Sequence, residues 1–347
     1  MRGSTLRRAA AAAAALLTLL GVTAGASSAA APSPSTDRLE VSVAKGRALA
    51  DELECPVPPV QTNVWLRTRS CQTVSATVNV LRDETWVGRA EFTIQNVMTL
   101  DTERTQWTER IRVSKARLTG DAKDLRVQLR ASCNTFCKAT VKMGAFTLGN
   151  SAKSGRIVYS VPVKKYEIRR NMAHYSFDIT RPGFSVGLVA YDSALFRCDD
   201  RFSNKVRQFH KDPGCVFPQR PVTEENQRLL PYISQNIHNV QSQGVHLGSP
   251  NYGRPLHRLQ KPRQQSANRN AVCGNQTPPP GLPFPEPQCD EYPYASTYEG
   301  GTTQAPPNRA TMWVPAQENR RQGSYLSRFY REFRVLDGDP YYVAVGV

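Results

Sequence analysis

Between about residue 60 and residue 200 the chain alternates apolar and polar side chains in short runs. Thr73-Val74-Ser75-Ala76-Thr77-Val78-Asn79-Val80-Leu81 has a period of two, which puts one set of side chains on each face of an extended strand. Trp86–Ile94, Trp107–Val113, Leu125–Ala131, Ala139–Phe146, Ile157–Val163, His174–Ile179 and Ser185–Tyr191 read the same way. About eight strands at this spacing, with few helix-length patterns, predict an all-β, sandwich-like N-terminal domain over residues 55–200. Charges at alternate positions supply its wet face.

After residue 200 the period changes. Leu229, Leu230, Ile233, Ile237 and Val240 fall at helical spacing, with Pro231 near the start and Gly244 past the end, so a helix is predicted from Pro231 to about Gln243. Residues 247–288 show no period and read as loop, proline-rich from Pro278 to Pro287. Thr311–Pro315 reads as a short strand. Ser324 is placed to cap a helix carrying Leu326, Phe329, Tyr330 and Phe333 at i, i+3, i+4 and i+7. Tyr341–Val345 reads as a final strand. This second unit, residues 201–347, is expected to be α+β.

The N-terminus changes the compartment. Arg2, Arg7 and Arg8 precede an apolar stretch from Ala9 to about Ala26, and small residues follow to Ala31. That is the plan of a secretory signal over residues 1–31, with residues 32–54 as a flexible tether. No later segment approaches the ~20 apolar residues of a membrane-spanning helix, so no stable membrane insertion is expected. Eight cysteines in a secreted chain favour disulfides. Their order suggests Cys55–Cys71, Cys133–Cys137, Cys198–Cys215 and Cys273–Cys289; Cys133-x3-Cys137 is alternatively half of a metal site. The net charge of +16 points to a polyanionic partner such as nucleic acid, cell-wall polymer or a membrane surface, without choosing among them.

The chemistry concentrates late in the chain. Asp290 and Glu291 are adjacent, with Glu299 and Glu318 downstream. A hard divalent cation on carboxylate oxygens, most simply Mg2+ or Mn2+, shields a phosphodiester and activates water. On an extended strand Asp290 and Glu291 point apart, so one of them is the expected direct ligand, with Asp290 preferred. Asn319 is a further candidate ligand, and Glu299 or Glu318 a candidate for the attacking water. Arg320 and Arg321 are candidate phosphate contacts. Arg254, Arg258, Lys261, Arg263 and Arg269 form a basic stretch suited to a polyanion. Gly300-Gly301 is expected to let the backbone approach substrate, and Gly323 to allow a tight approach into the following helix, whose N-terminus attracts phosphate. His246 and His257 are candidate general bases. No GxSxG elbow, phosphate-binding NTPase loop or dinucleotide fingerprint occurs.

Cys289-Asp290-Glu291-Tyr292-Pro293-Tyr294-Ala295-Ser296-Thr297-Tyr298-Glu299-Gly300-Gly301 resembles the core motif of the NucA/NucB family of secreted bacterial deoxyribonucleases. Val314-Pro315, then Glu318-Asn319-Arg320-Arg321-Gln322-Gly323-Ser324 and the Leu326–Phe333 helix, resemble that family's second block. The resemblance spans about residues 215–347 and not the β-rich half. It implies an extracellular, metal-dependent endonuclease acting on DNA with little sequence preference. Asp290 takes the essential aspartate position, and Glu291, Glu299, Asn319 and Arg320 fall on other characteristic positions. A further catalytic carboxylate is expected at Glu318, with Glu332 as the alternative. The large N-terminal domain and the long basic segment depart from small family members. They keep open a non-catalytic binder of extracellular DNA or cell-wall polyanion, and a secreted nuclease toxin.

Overall fold

The computed structural model describes residues 37–45, 64–134, 136–203, 210–251 and 253–346. The expected signal segment and Cys55 lie outside them. The β-rich half contains β1 (Arg38–Lys45), β2 (Val64–Leu66), β3 (Arg69–Arg82), β4 (Thr85–Thr99), β5 (Gln106–Val113), β6 (Arg117–Gly120) and β7 (Arg126–Cys133). It continues with β8 (Lys138–Lys142), β9 (Phe146–Thr147), β10 (Lys153–Ser160), β11 (Ile168–Asn171), β12 (Ala173–Thr180), β13 (Gly187–Asp192), β14 (Phe196–Asp199) and β15 (Gly214–Val216). The C-terminal half mixes strands and helices: β16 (Val222–Glu224), α1 (Pro231–Gln241), β17 (Leu256–His257), α2 (Pro262–Cys273), β18 (Pro287–Tyr292), β19 (Ala310–Pro315), α3 (Ala316–Glu332) and β20 (Pro340–Val343).

An eight-stranded sheet ordered β1-β3-β4-β5-β10-β8, with β2 and β6 at its margins, faces the sheet β13-β12-β7-β9. One apolar core joins them, with Val78, Phe92, Ile94 and Ile157 from the first and Val127, Leu129, Phe177 and Val189 from the second. The alternation in the sequence is therefore the sidedness of these strands. Within this core lies the carboxyl of Glu109 of β5. The Tyr159 and Tyr175 hydroxyls donate to it at 2.8 and 2.7 Å, and Asn96 Nδ2 at 3.2 Å. Burial pushes its pKa from 4.5 up to about 7, against the pull of those three donors.

Three sequence readings are corrected here. Arg38–Lys45, assigned to the tether, pairs antiparallel with β3 along its whole length; Leu39 and Val41 supply its apolar face. The N-terminal core runs past residue 200 to Phe217, because β15 pairs with β14 and Cys198 is bonded to Cys215. Residues 247–288 contain β17 and α2 instead of continuous loop. Helix α2 buries no residue, so no apolar period marks it in the sequence. Cys133–Cys137 and Cys273–Cys289 are also bonded, and Cys71 is disulfide-bonded. No described helix is long and apolar enough to cross a membrane.

The C-terminal core gathers Ile233, Ile237 and Val240 of α1 with Val314 of β19, Leu326, Phe329 and Tyr330 of α3, and Tyr341 and Val343 of β20. Helix α1 ends near its expected place, with Gly244 at φ +55°. Helix α3 starts eight residues before Ser324, directly after Pro315; its first two turns are polar and lack the stripe that reveals the rest. The helix closes with Val335 N donating to Tyr330 O and Arg334 N to Arg331 O. Arg334 therefore holds the left-handed position, φ +49°, that glycine usually fills.

Candidate active site

Strands β18 and β19 form an antiparallel hairpin with Asp290 opposite Met312, and α3 leaves β19 without a linker. Side chains alternate along β18. Gln288 and Asp290 face α3, while Glu291 lies against α2. On α3, Asn319 and Gln322 are three residues apart and share a face. Asn319 Nδ2 donates to Gln288 Oε1 at 2.8 Å and Gln322 Nε2 to Asp290 Oδ1 at 2.8 Å. From α1, Asn236 Nδ2 donates to Asp290 Oδ2 at 2.8 Å. Two helices thus clamp one carboxyl with one amide each.

Asp290 is 1% exposed. Burial is the main reason its pKa rises from 3.8 to about 7; the neighbouring Glu291 charge adds to the rise, and the two amides oppose it. Glu291 is also buried and raised by burial, countered by Arg269. Arg269 Nε and Nη2 donate to Glu291 Oε1 at 3.2 and 3.1 Å. A cleft of about 630 Å³ opens between α2 and α3 beside these groups, with Arg258, Arg269, Arg320, Glu291, Asn319 and Tyr330 among its walls. Arg258 lies over the Tyr330 ring at 4.2 Å. Gly323 contributes to the same wall, and a Cβ there would meet nothing within 4 Å.

Residues 238–344 match the family model described as deoxyribonuclease NucA/NucB. Over that span the C-terminal region is similar to the NucA/NucB nuclease family. No curated protein and no solved structure matches the chain. The NucA/NucB match contains β18, β19, α3 and every lining residue of the cleft, and it excludes the β-rich half. It also begins two residues after Asn236.

Within this NucA/NucB region the sequence-selected residues separate. Glu291, Asn319, Arg320, Arg258 and Arg269 line the cleft, and Asp290 is buried behind its wall, hydrogen-bonded to the lining residue Gln322. Arg321, Arg254, Lys261 and Arg263 are exposed outside its walls. Glu318 is engaged elsewhere: its Oε2 accepts from the Tyr232 and Ile233 amides at 3.0 and 3.3 Å. There it caps α1, whose own N-cap, Leu230, offers no side-chain acceptor. Glu299 accepts from His257, at 2.9 Å from the backbone N and 2.8 Å from Nδ1. Glu332 is exposed at the end of α3, by a different hollow that also holds Trp65 and Phe333. The paired glycines serve packing. A Cβ on Gly300 would lie 2.4 Å from Tyr294 O, and one on Gly301 2.9 Å from Asn268 Cα of α2.

Asn236 and Gln322 were not selected from sequence. They lie 54 and 32 residues from Asp290, and an amide on a helix carries no distinctive pattern. Among the described residues no group of three or more His, Cys, Asp or Glu converges as a metal site. The cleft nevertheless offers hard oxygen donors in Glu291 and the Asn319 amide. Mg2+ commonly takes one or two carboxylates and completes its shell with water and substrate phosphate. The donor set fits a cation shared with substrate and not an all-protein cage.

Proposed function

We propose that this chain is a secreted, metal-dependent endonuclease that hydrolyses DNA phosphodiesters with little sequence preference. The observation that carries the reading is Asp290: a carboxyl held by Asn236 and Gln322, poised near neutral pH, beside a cleft with three arginines. A base tuned close to the working pH is both largely available and able to hold a proton. Asp290 takes the proton of the attacking water. Arg320, and Arg258 over Tyr330, bind the phosphate on either side. Glu291 and Asn319 would hold the divalent cation, whose contribution when bound is to shield the phosphate charge. Arg269 keeps Glu291 in place until substrate and cation arrive. Contacts of this kind read backbone and not bases, so binding falls steeply with salt. The signal-like N-terminus and the disulfides support action outside the cell.

A time course on supercoiled plasmid, single-stranded DNA and RNA, with Mg2+ or Mn2+ and with chelator, tests the reading. Expected are nicking of DNA that stops with chelator and returns with metal, and an Asp290→Asn variant that binds DNA without cutting it. Binding without product in the parent, or equal cleavage by parent and variant, refutes it.

A further inference from the structure

The boundary between the β-rich half and the nuclease region is built from charges that no solvent reaches. Arg67, in the turn between β2 and β3, is 5% exposed. Its Nε donates to Phe333 O at 3.0 Å, its Nη1 to Pro218 O and Arg220 O at 2.9 and 3.0 Å, and its Nη2 to Arg334 O at 3.0 Å and to the Asp339 carboxylate. Every donor of that guanidinium is used. Arg197 of β14 reaches Asp339 Oδ1 at 2.7 Å and also donates to Arg334 O. In the other direction, Arg334 donates to the Asp199 carboxylate and to the carbonyls of Thr102 and Asp212. Each half therefore gives both signs of charge to the other.

The segment these contacts fix is 333–339, and that segment holds Arg258. Arg258 N donates to Asp339 O at 3.1 Å, and Gly338 N donates to Arg258 O at 2.7 Å. The Arg258 guanidinium donates to Val335 O while lying over Tyr330 at the cleft. The left-handed Arg334 agrees with this use. A side chain is kept where glycine would be unstrained, and that side chain spans the junction.

We propose that the β-rich half is a working part of the nuclease and that Arg67 is a positioning residue, setting Arg258 against the substrate phosphate through Asp339 and the 333–339 segment. The proposal rests on the nuclease reading above. It makes the N-terminal region an internal scaffold of the cleft and not a detachable targeting module.

The test is a double-mutant cycle in the full chain with Arg67→Lys and Arg258→Ala, measured as kcat and KM on plasmid DNA with Mg2+. Arg67→Lys keeps the charge but has too few donors for the five acceptors. Because Arg258 holds phosphate in the ground state as well, KM is expected to rise about tenfold with kcat within about twofold. The double variant is expected to match Arg258→Ala alone, since a residue acting through another adds nothing once that other is gone. Asp339→Asn serves as a second variant with the same expected cycle should Arg67→Lys not fold. A purely structural role lowers the melting temperature and the active fraction, leaves KM at the parent value and multiplies with Arg258→Ala; that pattern overturns the proposal. A parent that cuts no DNA defeats the nuclease reading instead, so the two failures are told apart.

Discussion

Replacing Glu109 by Gln tests how the β-rich core tolerates a carboxyl among its apolar side chains. The folded protein holds that proton more tightly than the unfolded chain, with a pKa of about 7 against 4.5. A raised acid contributes stability that is full below the unfolded value and is lost as pH climbs toward the folded one. Over pH 5 to 8 the linkage relation gives a loss of about 2–3 kcal/mol from this group alone. Glutamine removes the ionisation and keeps the volume. Its amide brings two donors and one oxygen, and the Tyr159 or Tyr175 hydroxyl can rotate to accept, so the mismatch costs about 1 kcal/mol or less. Urea titrations at pH 5, 6, 7 and 8 measure the difference. Trp107 stacks on Tyr159 with ring centroids 5.3 Å apart and reports the core by fluorescence. The Asp290 shift is present in both proteins and cancels between them. The gap in favour of Glu109→Gln should widen by about 2–3 kcal/mol from pH 5 to pH 8. Parallel curves, or a variant that loses ground as pH rises, would refute the reasoning.

The clamp on Asp290 predicts the pH profile of cleavage. In the parent, activity should rise through about pH 7 as Asp290 loses its proton. Asn236→Ala and Gln322→Ala each remove a donor that favours the charged form, so the acid limb of the kcat profile should move to higher pH; an unmoved limb would separate Asp290 from the chemistry. Gly323 stands in mid-helix with open space beyond its Cα. Gly323→Ala should raise stability by about 0.5–1 kcal/mol in thermal melts, whereas Gly323→Trp should raise KM for DNA by filling the cleft. Trp with unchanged KM would place the substrate elsewhere.

What the sequence conveyed depended on whether a signal was local. Strands such as β5, β7 and β12 were legible because buried and wetter positions alternate along them, whereas β14 and β15 are buried throughout and show no alternation. Helix α1 was legible because Ile233, Ile237 and Val240 agreed with Pro231 and Gly244. Helix α2 was illegible because it buries nothing, and the first turns of α3 because Gln317–Ser324 is polar throughout. At the site, Asp290 and the arginines stood out by motif and charge. The roles of Glu318 and Glu299 did not, since proximity in sequence says nothing about which helix end or histidine a carboxylate will meet. Asn236, Gln322 and the Arg67–Asp339 contact are unions of distant segments that only the folded core brings together.

The Cys273–Cys289 bridge gives this arrangement a sense of place. Helix α2 carries Arg269 to Glu291 yet buries no side chain, and the bridge is its covalent tie to the strand bearing Asp290. Closing a loop of this length restricts the unfolded chain by about 3 kcal/mol, and the bond survives only where thiols are oxidised. Wherever thiols stay reduced, the α2 wall of the cleft loses its anchor, so the redox state of the surroundings sets how firmly Arg269 is held against Glu291.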